Sequence, residues 1–425
     1  MQKPFFLFLF IFSFTFSGSA QKIEPFTTAE AAGFSASRLQ RVDNLLNDWV
    51  KQGRMQGATA LVIHNGKIAY SKAIGYNDLE AKTPMQKDNI FRIASQTKAV
   101  TSVAIMMLFE EGKLKLDDPV SKYIPSFKNQ TVLDKFNKED TSYTTVPAKS
   151  PVTIRHLLTH TSGIGYAQIG SPEANAIYAK NNITAGIGVN DISLLEAMTR
   201  LGKLPLMHQP GEKWTYGLNT DLLGGLVEII SGTTLSEFFR TRIFEPLGMK
   251  DSYFRVPAAK ASRLVHLYQE DSVGKLQKAD LKIFNGPAMA NYPLEDYTYY
   301  SGGAGLSTTI YDYGVFLQML LNGGLYDGKR ILSRNAVRLM TMNQIGDLPF
   351  GDDKFGLGFS VVTERGSSKT MAREGTFGWG GAFATSYWVD PKENLVILLY
   401  RNLFNTSHWE DSDLYLTLVY AALNK

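Results

Sequence analysis

The sequence predicts an α+β fold: an antiparallel sheet built from both ends of the chain and flanked by helices, with a mainly helical lobe inserted between its halves. Two observations carry this. Stretches rich in β-branched and aromatic residues cluster towards the two ends of the 425-residue chain, and apolar stretches of helical length, closed by glycine, fill the middle. The first twenty residues stand apart. The expected division is a leader over 1–20, a sheet domain from 21–100 and 345–425, and a helical lobe with substrate loops over 101–344. A crevice between such lobes is a usual place for a site.

In chain order, "ATALVIHNGKIAYSKAIGY" reads as two strands joined at Asn65-Gly66, a pair that favours a two-residue hairpin turn. "KAVTSVAIMMLFEEGKL" has the length of a buried helix and stops near Gly112. "PVTIRHLLTHTSGIG" reads as a short helix ending in a glycine-punctuated loop. "NTDLLGGLVEIISG" and "TLSEFFRTRIFEPLG" read as two helices, and "TIYDYGVFLQMLLNGG" as another. Near the C-terminal end "GFSVVT", "ATSYWVD" and "NLVILLY" are strand-like, with Asp390-Pro391 turning between the last two. "SDLYLTLVYAALNK" closes the chain as a helix. The stretches 128–150 and 275–300 are expected to be substrate loops.

Composition excludes several classes. Hydrophobic residues make up 44% and charged residues 20%, which is ordinary globular composition rather than disorder. The net charge of +4 is small and no Lys/Arg block stands out, so nucleic acid is not an expected partner. "MQKPFFLFLFIFSFTFSGSA" runs from one cation through an apolar stretch to small residues, the order of a secretory signal cleaved after Ala20. Export to the periplasm or medium follows, with no stable membrane anchor after cleavage. The chain has no cysteine, hence no disulfide and no thiol nucleophile. His156 and His160 stand one helical turn apart, but no third ligand is evident, so neither a metal nor a cofactor is expected. Oligomeric state is not legible.

"FRIASQTKAV" places Ser95 three residues before Lys98, where a strand-like stretch gives way to a helix. A Ser-x-x-Lys pair arises by chance about once or twice in a chain this long. Beyond Ala20 it occurs twice, and Ser272/Lys275 lies in "EDSVGKLQ", a hairpin tip where side chains three apart share no face. At the first turn of a helix, positions three apart lie on one side, so Lys98 can reach the Ser95 hydroxyl. A desolvated Lys98 would have a depressed pKa and accept a proton more readily. The same placement also suits Ser95 as a plain helix N-cap, and this stretch alone leaves both open. No Gly-x-Ser-x-Gly elbow occurs, which removes the main support for an α/β-hydrolase.

Several colinear segments, "LVIHNGKIAYSKAIGYND", "NIFRIASQTKAVTSVAIMMLFEEGKLKLDDPVSKYIP", "VTIRHLLTHTSGI", "PGEKWTYGLNTDLLGGLVEIISG", "IFEPLGMKDS" and "GGAGLSTTIYDYGVFLQMLLNGG", resemble the serine β-lactamase-related hydrolases of the class C and penicillin-binding-protein type. The likeness spans nearly the whole chain after residue 20 and implies the β-lactamase/transpeptidase-like fold. It places the nucleophile motif on Ser95 and Lys98 and the second motif at Tyr216-Gly217-Leu218. The tyrosine is kept as partner of Lys98, whereas the family's asparagine is replaced by Leu218. Asn219 stands one residue late and takes no role. Such departures are nearer to the esterase branch, of the family VIII carboxylesterase kind.

The family's third motif falls on Trp379-Gly380-Gly381, whose glycines would let a strand backbone approach a substrate carbonyl. "SSKTM" is a decoy, since no glycine follows Thr370. By resemblance, the backbone amides of Ser95 and Ala382 form an oxyanion hole. Trp379 replaces a cation that would hold a substrate carboxylate, which points to neutral esters. The implied function is a serine hydrolase acting through an acyl-enzyme on a small-molecule ester or amide, with Lys98 and Tyr216 sharing the Ser95 proton as a coupled pair. A D-Ala-D-Ala carboxypeptidase or class C-like β-lactamase, and a non-catalytic binding protein of the penicillin-binding type, stay open as alternatives.

Overall fold

The computed structural model describes residues 22–424 apart from 27, 185, 190 and 280–289. The expected leader therefore lies outside the described residues, as does part of the expected 275–300 loop. Helix α1 (Ala36–Lys51) leads into β1 (Gly57–His64) and β2 (Lys67–Asp78), and the chain returns to the same sheet with β3 (Phe377–Gly381), β4 (Thr385–Asp390) and β5 (Leu395–Tyr400). The order is β3-β4-β5-β1-β2, antiparallel throughout, so the C-terminal strand β5 pairs with the N-terminal strand β1 over Thr59–His64. Two-residue strands extend the edges: Lys354–Phe355 and Ser360–Val361 beside β3, and Thr83–Pro84 beside β2. The sheet drawn from both ends of the chain is present as expected.

Both faces of this sheet are covered, which explains why β1 and β5 read as continuous apolar runs. Alternate side chains go to opposite cores. Ala60, Val62, Ile397 and Leu399 pack with α1 and the C-terminal helix (Asp411–Ala422), while Leu61, Ile63, Val396 and Leu398 face the main core. The helix over Ile310–Leu321 lies on that second face, at Gly314: a Cβ there would come 2.9 Å from Leu61 Cδ2. The hairpin turn at Asn65-Gly66 has φ of 51° and 75°, the left-handed pair that an Asn-Gly turn supplies. Among the described residues no single helix is long and apolar enough to cross a membrane.

Helix α2 (Thr97–Glu110) is buried from Thr97 through Leu108, which suits its all-round apolar sequence. It runs through the main core and packs on α3 (Asn219–Ser231). Two stretches differ from expectation, and one expected helix carries an added π-turn. "GFSVVT" pairs over Ser360–Val361 only, because Thr363 next caps a short helix over Glu364–Ser367. "TLSEFFRTRIFEPLG" is one helical run containing a π-turn over Arg240–Phe244. That wider turn precedes Pro246, which has no N–H and needs room against the carbonyl four residues back. The stretch 128–150 forms a surface hairpin of Thr131–Phe136 and Tyr143–Pro147.

Candidate active site

Ser95 does not cap α2. It sits in a 3₁₀ turn over Ala94–Gln96, and the residue before α2 is Gln96, whose side chain caps nothing. The bend falls at Ala94, a non-glycine residue at φ 41°, where the chain turns sharply out of the short strand Ile90–Arg92. With capping gone, the Ser95 hydroxyl is free for other partners. Tyr216 Oη donates to Ser95 Oγ at 2.6 Å, and Lys98 Nζ lies 3.2 Å from the same oxygen. The three residues that sequence reasoning brings forward thus meet at one atom, although Tyr216 is 121 positions away.

Lys98 is 3% exposed and its ammonium is ringed by acceptors: Tyr166 Oη at 3.0 Å and the Gly303 carbonyl at 2.8 Å, besides Ser95. It also lies over the Tyr216 ring, 4.7 Å from its centroid. Tyr166 was not legible as a site residue. It comes from the loop after the "HLLTHTSGI" segment, two residues beyond it, and only a hydroxyl-bearing residue in that glycine-punctuated stretch hints at it. Burial pushes the Tyr166 phenol well above its ordinary range.

Tyr216 is held by its ring. It stacks on Trp214 at 5.9 Å and meets His160 at 5.1 Å and Trp379 at 5.7 Å. Phe350 and Phe355 complete this aromatic wall. Burial, helped by the nearby Lys98 charge, keeps the His160 imidazole well below the ordinary histidine range. Its Nδ1 pairs with Asn219 Nδ2 at 2.9 Å, and Asn219 Oδ1 accepts from Ser162 Oγ. Asn219 is thereby committed to the wall behind Tyr216, and Leu218 is fully buried. His156 Nδ1 accepts the Thr153 N–H as a capping box, so His156 and His160 serve separate structural contacts.

Trp379, Gly380 and Gly381 end β3. The neighbouring strand pairs only as far as Gly378, so the backbone beyond it is open on the side facing Ser95. Gly381 presses on the turn: a Cβ there would lie 2.2 Å from the Ile93 carbonyl oxygen. Ala382 follows and lines a cavity of about 380 Å³ with Ser95, Tyr166, Tyr216 and Trp379. The walls are largely apolar. Ile187 closes one side, and Ile169 and Trp409 stand half-exposed at the rim. No residue of the 128–150 hairpin lines it; 166–169 and Trp409 supply that wall. Lys369 of the decoy pairs with Asp352, and Lys275 donates its backbone N–H to Asp271 in a hairpin tip.

The fold and the side chains gathered at Ser95 define a serine hydrolase. A model of the family described as Beta-lactamase matches residues 42–422, and the chain belongs to that family. It is 35% identical over 359 residues to protein Rv1367c of Mycobacterium tuberculosis, covering 81% of this chain and 85% of that one. It is 31% identical over 381 residues to esterase EstB of Burkholderia gladioli, covering 87% and 91%. Among solved structures, EstCE1, described as a hydrolase with promiscuous acyltransferase activity, aligns with a TM-score of 0.77 at 26% identity, covering 92% and 99%. These likenesses bear out the β-lactamase/transpeptidase-like fold and the esterase-branch resemblance.

Proposed function

We propose that the protein hydrolyses neutral carboxylic esters through an acyl-enzyme on Ser95. The observation that carries this is Ser95 Oγ held between Tyr216 Oη at 2.6 Å and Lys98 Nζ at 3.2 Å, on the floor of an apolar cavity. In this reading Ser95 Oγ bonds to the ester carbonyl carbon while its proton passes to the Lys98–Tyr216 pair. The carbonyl oxygen becomes an oxyanion facing the backbone amides of Ser95 and Ala382. Collapse breaks the bond to the alkoxy oxygen, which leaves as the alcohol with that proton. Water then attacks the acyl-enzyme, giving its proton to the same pair and releasing the acid and Ser95.

Trp379 where relatives carry a cation, and the apolar walls beside it, favour a neutral acyl group over the carboxylate of a penicillin or a D-Ala-D-Ala peptide. The names of the relatives EstB and EstCE1, an esterase and a hydrolase, support the same direction. Export is part of the proposal, on the N-terminal order of Lys3, apolar run and Ala20.

The test is intact-mass spectrometry of the full-length expressed protein with a fluorophosphonate probe, beside turnover of p-nitrophenyl butyrate, nitrocefin and a D-Ala-D-Ala peptide. One adduct on the wild type, none on Ser95→Ala, and turnover led by the ester are expected. An unlabelled wild type, or nitrocefin as the preferred substrate, overturns the reading. The same spectrum reads export: cleavage after Ala20 is expected in secreted material, and an intact leader there refutes it.

A further inference from the structure

Trp409 stands half in solvent at the mouth of the Ser95 cavity, and no step of the proposed chemistry uses it. It lies in 405–410, the loop between the short strand Leu403–Phe404 and the C-terminal helix Asp411–Ala422. This loop is tied down along its length. Glu270 Oε1 accepts from Thr406 Oγ1 at 2.7 Å and from the Ser407 N–H at 2.9 Å. Thr406 Oγ1 accepts the His408 N–H at 3.1 Å, and Ser412 Oγ donates to the Trp409 carbonyl at 3.0 Å.

Behind the loop is Arg401, which is 1% exposed. Its Nη1 donates to the His408 carbonyl at 3.1 Å, while Nε and Nη2 find no partner among the described residues. The charge it faces is Asp411, which is itself bonded by Arg54 at 3.2 Å. A buried guanidinium with idle donors is costly, so stability alone does not account for it. What Arg401 fixes is the peptide group that joins His408 to Trp409.

The other lip comes from the middle of the chain. Ile169 is also half-exposed, and Asn175 of the helix Pro172–Lys180 donates to both the Tyr166 and the Ile169 carbonyls, at 2.9 and 3.0 Å. Two apolar side chains from distant parts of the chain are thus held at one mouth by polar anchors behind them. Among the described residues no charged side chain lines the cavity. Its volume of about 380 Å³ falls in the range that encloses a drug-sized ligand, more room than an acetyl group takes.

We propose that Trp409 and Ile169 are specificity-determining residues that receive an aryl or extended alkyl group of the ester, with Arg401 a positioning residue for Trp409. This rests on the Ser95 reading above and deepens it: the substrate class is the neutral ester with a large apolar group, not the short ester. An indole face and a branched alkyl chain take such a group without needing a polar partner, and each methylene that leaves water there strengthens binding about fourfold.

The experiment measures kcat/KM on p-nitrophenyl acetate and octanoate, and on ethyl and octyl butyrate for the alcohol side. The readout is the long-to-short ratio, and in the wild type the long ester of at least one pair should lead. Trp409→Ala removes a half-exposed side chain and leaves the core filled. It should cut that ratio about 16-fold, chiefly through KM, which is contact with about two methylenes at about fourfold each. Ile169→Ala should cut the same ratio by less. Arg401→Met should also lower it, and Thr406→Val, which loosens the loop without lining the cavity, serves should Arg401→Met fail to fold. A wild type that prefers the short ester in both pairs, or a Trp409→Ala that slows long and short esters alike, overturns the proposal. A ratio unmoved in folded Arg401→Met and in Thr406→Val overturns the positioning role. Failure of the underlying serine reading would look different: the wild type itself would take no fluorophosphonate label.

Discussion

Replacing Gly381 by alanine should damage catalysis far more than folding, and the structure sets the size. The added Cβ would stand 2.2 Å from the Ile93 carbonyl oxygen and 2.5 Å from Thr385 Oγ1, where real Cβ contacts stay beyond 3.0 Å. Neither neighbour can turn away freely, since one is backbone and the other is buried. The strand must therefore retreat from the turn by about 1 Å, with overpacking that costs about 1–3 kcal/mol. Ile93 sits two residues before Ser95 and Ala382 follows Gly381, so that retreat separates the two amides of the proposed oxyanion hole. A displacement of this size costs about 100-fold and a lost oxyanion donor about 100- to 1,000-fold in kcat. Gly380→Ala is the matched control, because its Cβ would meet only the Thr385 carbonyl oxygen, at 3.3 Å. The assay is kcat and KM on p-nitrophenyl butyrate with thermal melting alongside. If Gly381→Ala stays within about threefold of wild type, or if Gly380→Ala falls as far, the amide pair is not where the chemistry happens.

Trp379→Ala should raise KM for p-nitrophenyl butyrate about tenfold with a smaller change in kcat, because it removes one face of the wall formed with Tyr216 and Phe350; an unchanged KM would show that substrate does not rest there. Asp312 gives a stability test. Burial pushes its carboxyl up to about 6, while its Oδ2 accepts from the Asp251 N–H at 2.6 Å. A carboxyl whose folded pKa is raised supports the folded state at low pH and loses that support as pH rises through the folded value. Asp312→Asn should therefore gain on wild type by up to about 3 kcal/mol between pH 4 and 7 in urea unfolding; a constant gap across that range would refute the assignment.

What could be read from the sequence was whatever depends on local spacing or on runs longer than a turn. Asn65-Gly66 dictates its hairpin, the run after Lys98 is apolar on every side because it crosses the core, and "NLVILLY" is continuous because both faces of β5 are covered. Ser95 and Lys98 meet because they stand three positions apart at the start of a helical segment, whether that start is 3₁₀ or α. What stayed hidden is tertiary. Tyr166 and Gly303 reach Lys98 across 68 and 205 positions, through loops with no period to betray them. The turn at Ala94 was missed for another reason: alanine gives no sign that its φ is positive, and the surrounding packing imposes it.

That imposed turn explains why the sheet is assembled from both ends of the chain. A left-handed non-glycine residue costs about 1–2 kcal/mol, so Ala94 holds its conformation only where neighbours over-determine it. The neighbours are the sheet and its covering helix. Ile93 N–H donates to the Leu306 carbonyl, and Gln96 N–H donates back to the Ile93 carbonyl. Gln96 is fully buried: its carbonyl accepts from Tyr313 on the helix over Ile310–Leu321, and its Oε1 accepts from Tyr400 at the end of β5. Gly381 of β3 closes the other side. Ser95 is thus clamped fore and aft by residues some 200 to 300 positions away, 217 for Tyr313 and 304 for Tyr400. Among the described residues its hydroxyl is left to Tyr216 and Lys98. Had Ser95 been the helix cap that its position suggests, its oxygen would have been spent on a backbone amide; the strained turn is what keeps it available for the proposed attack.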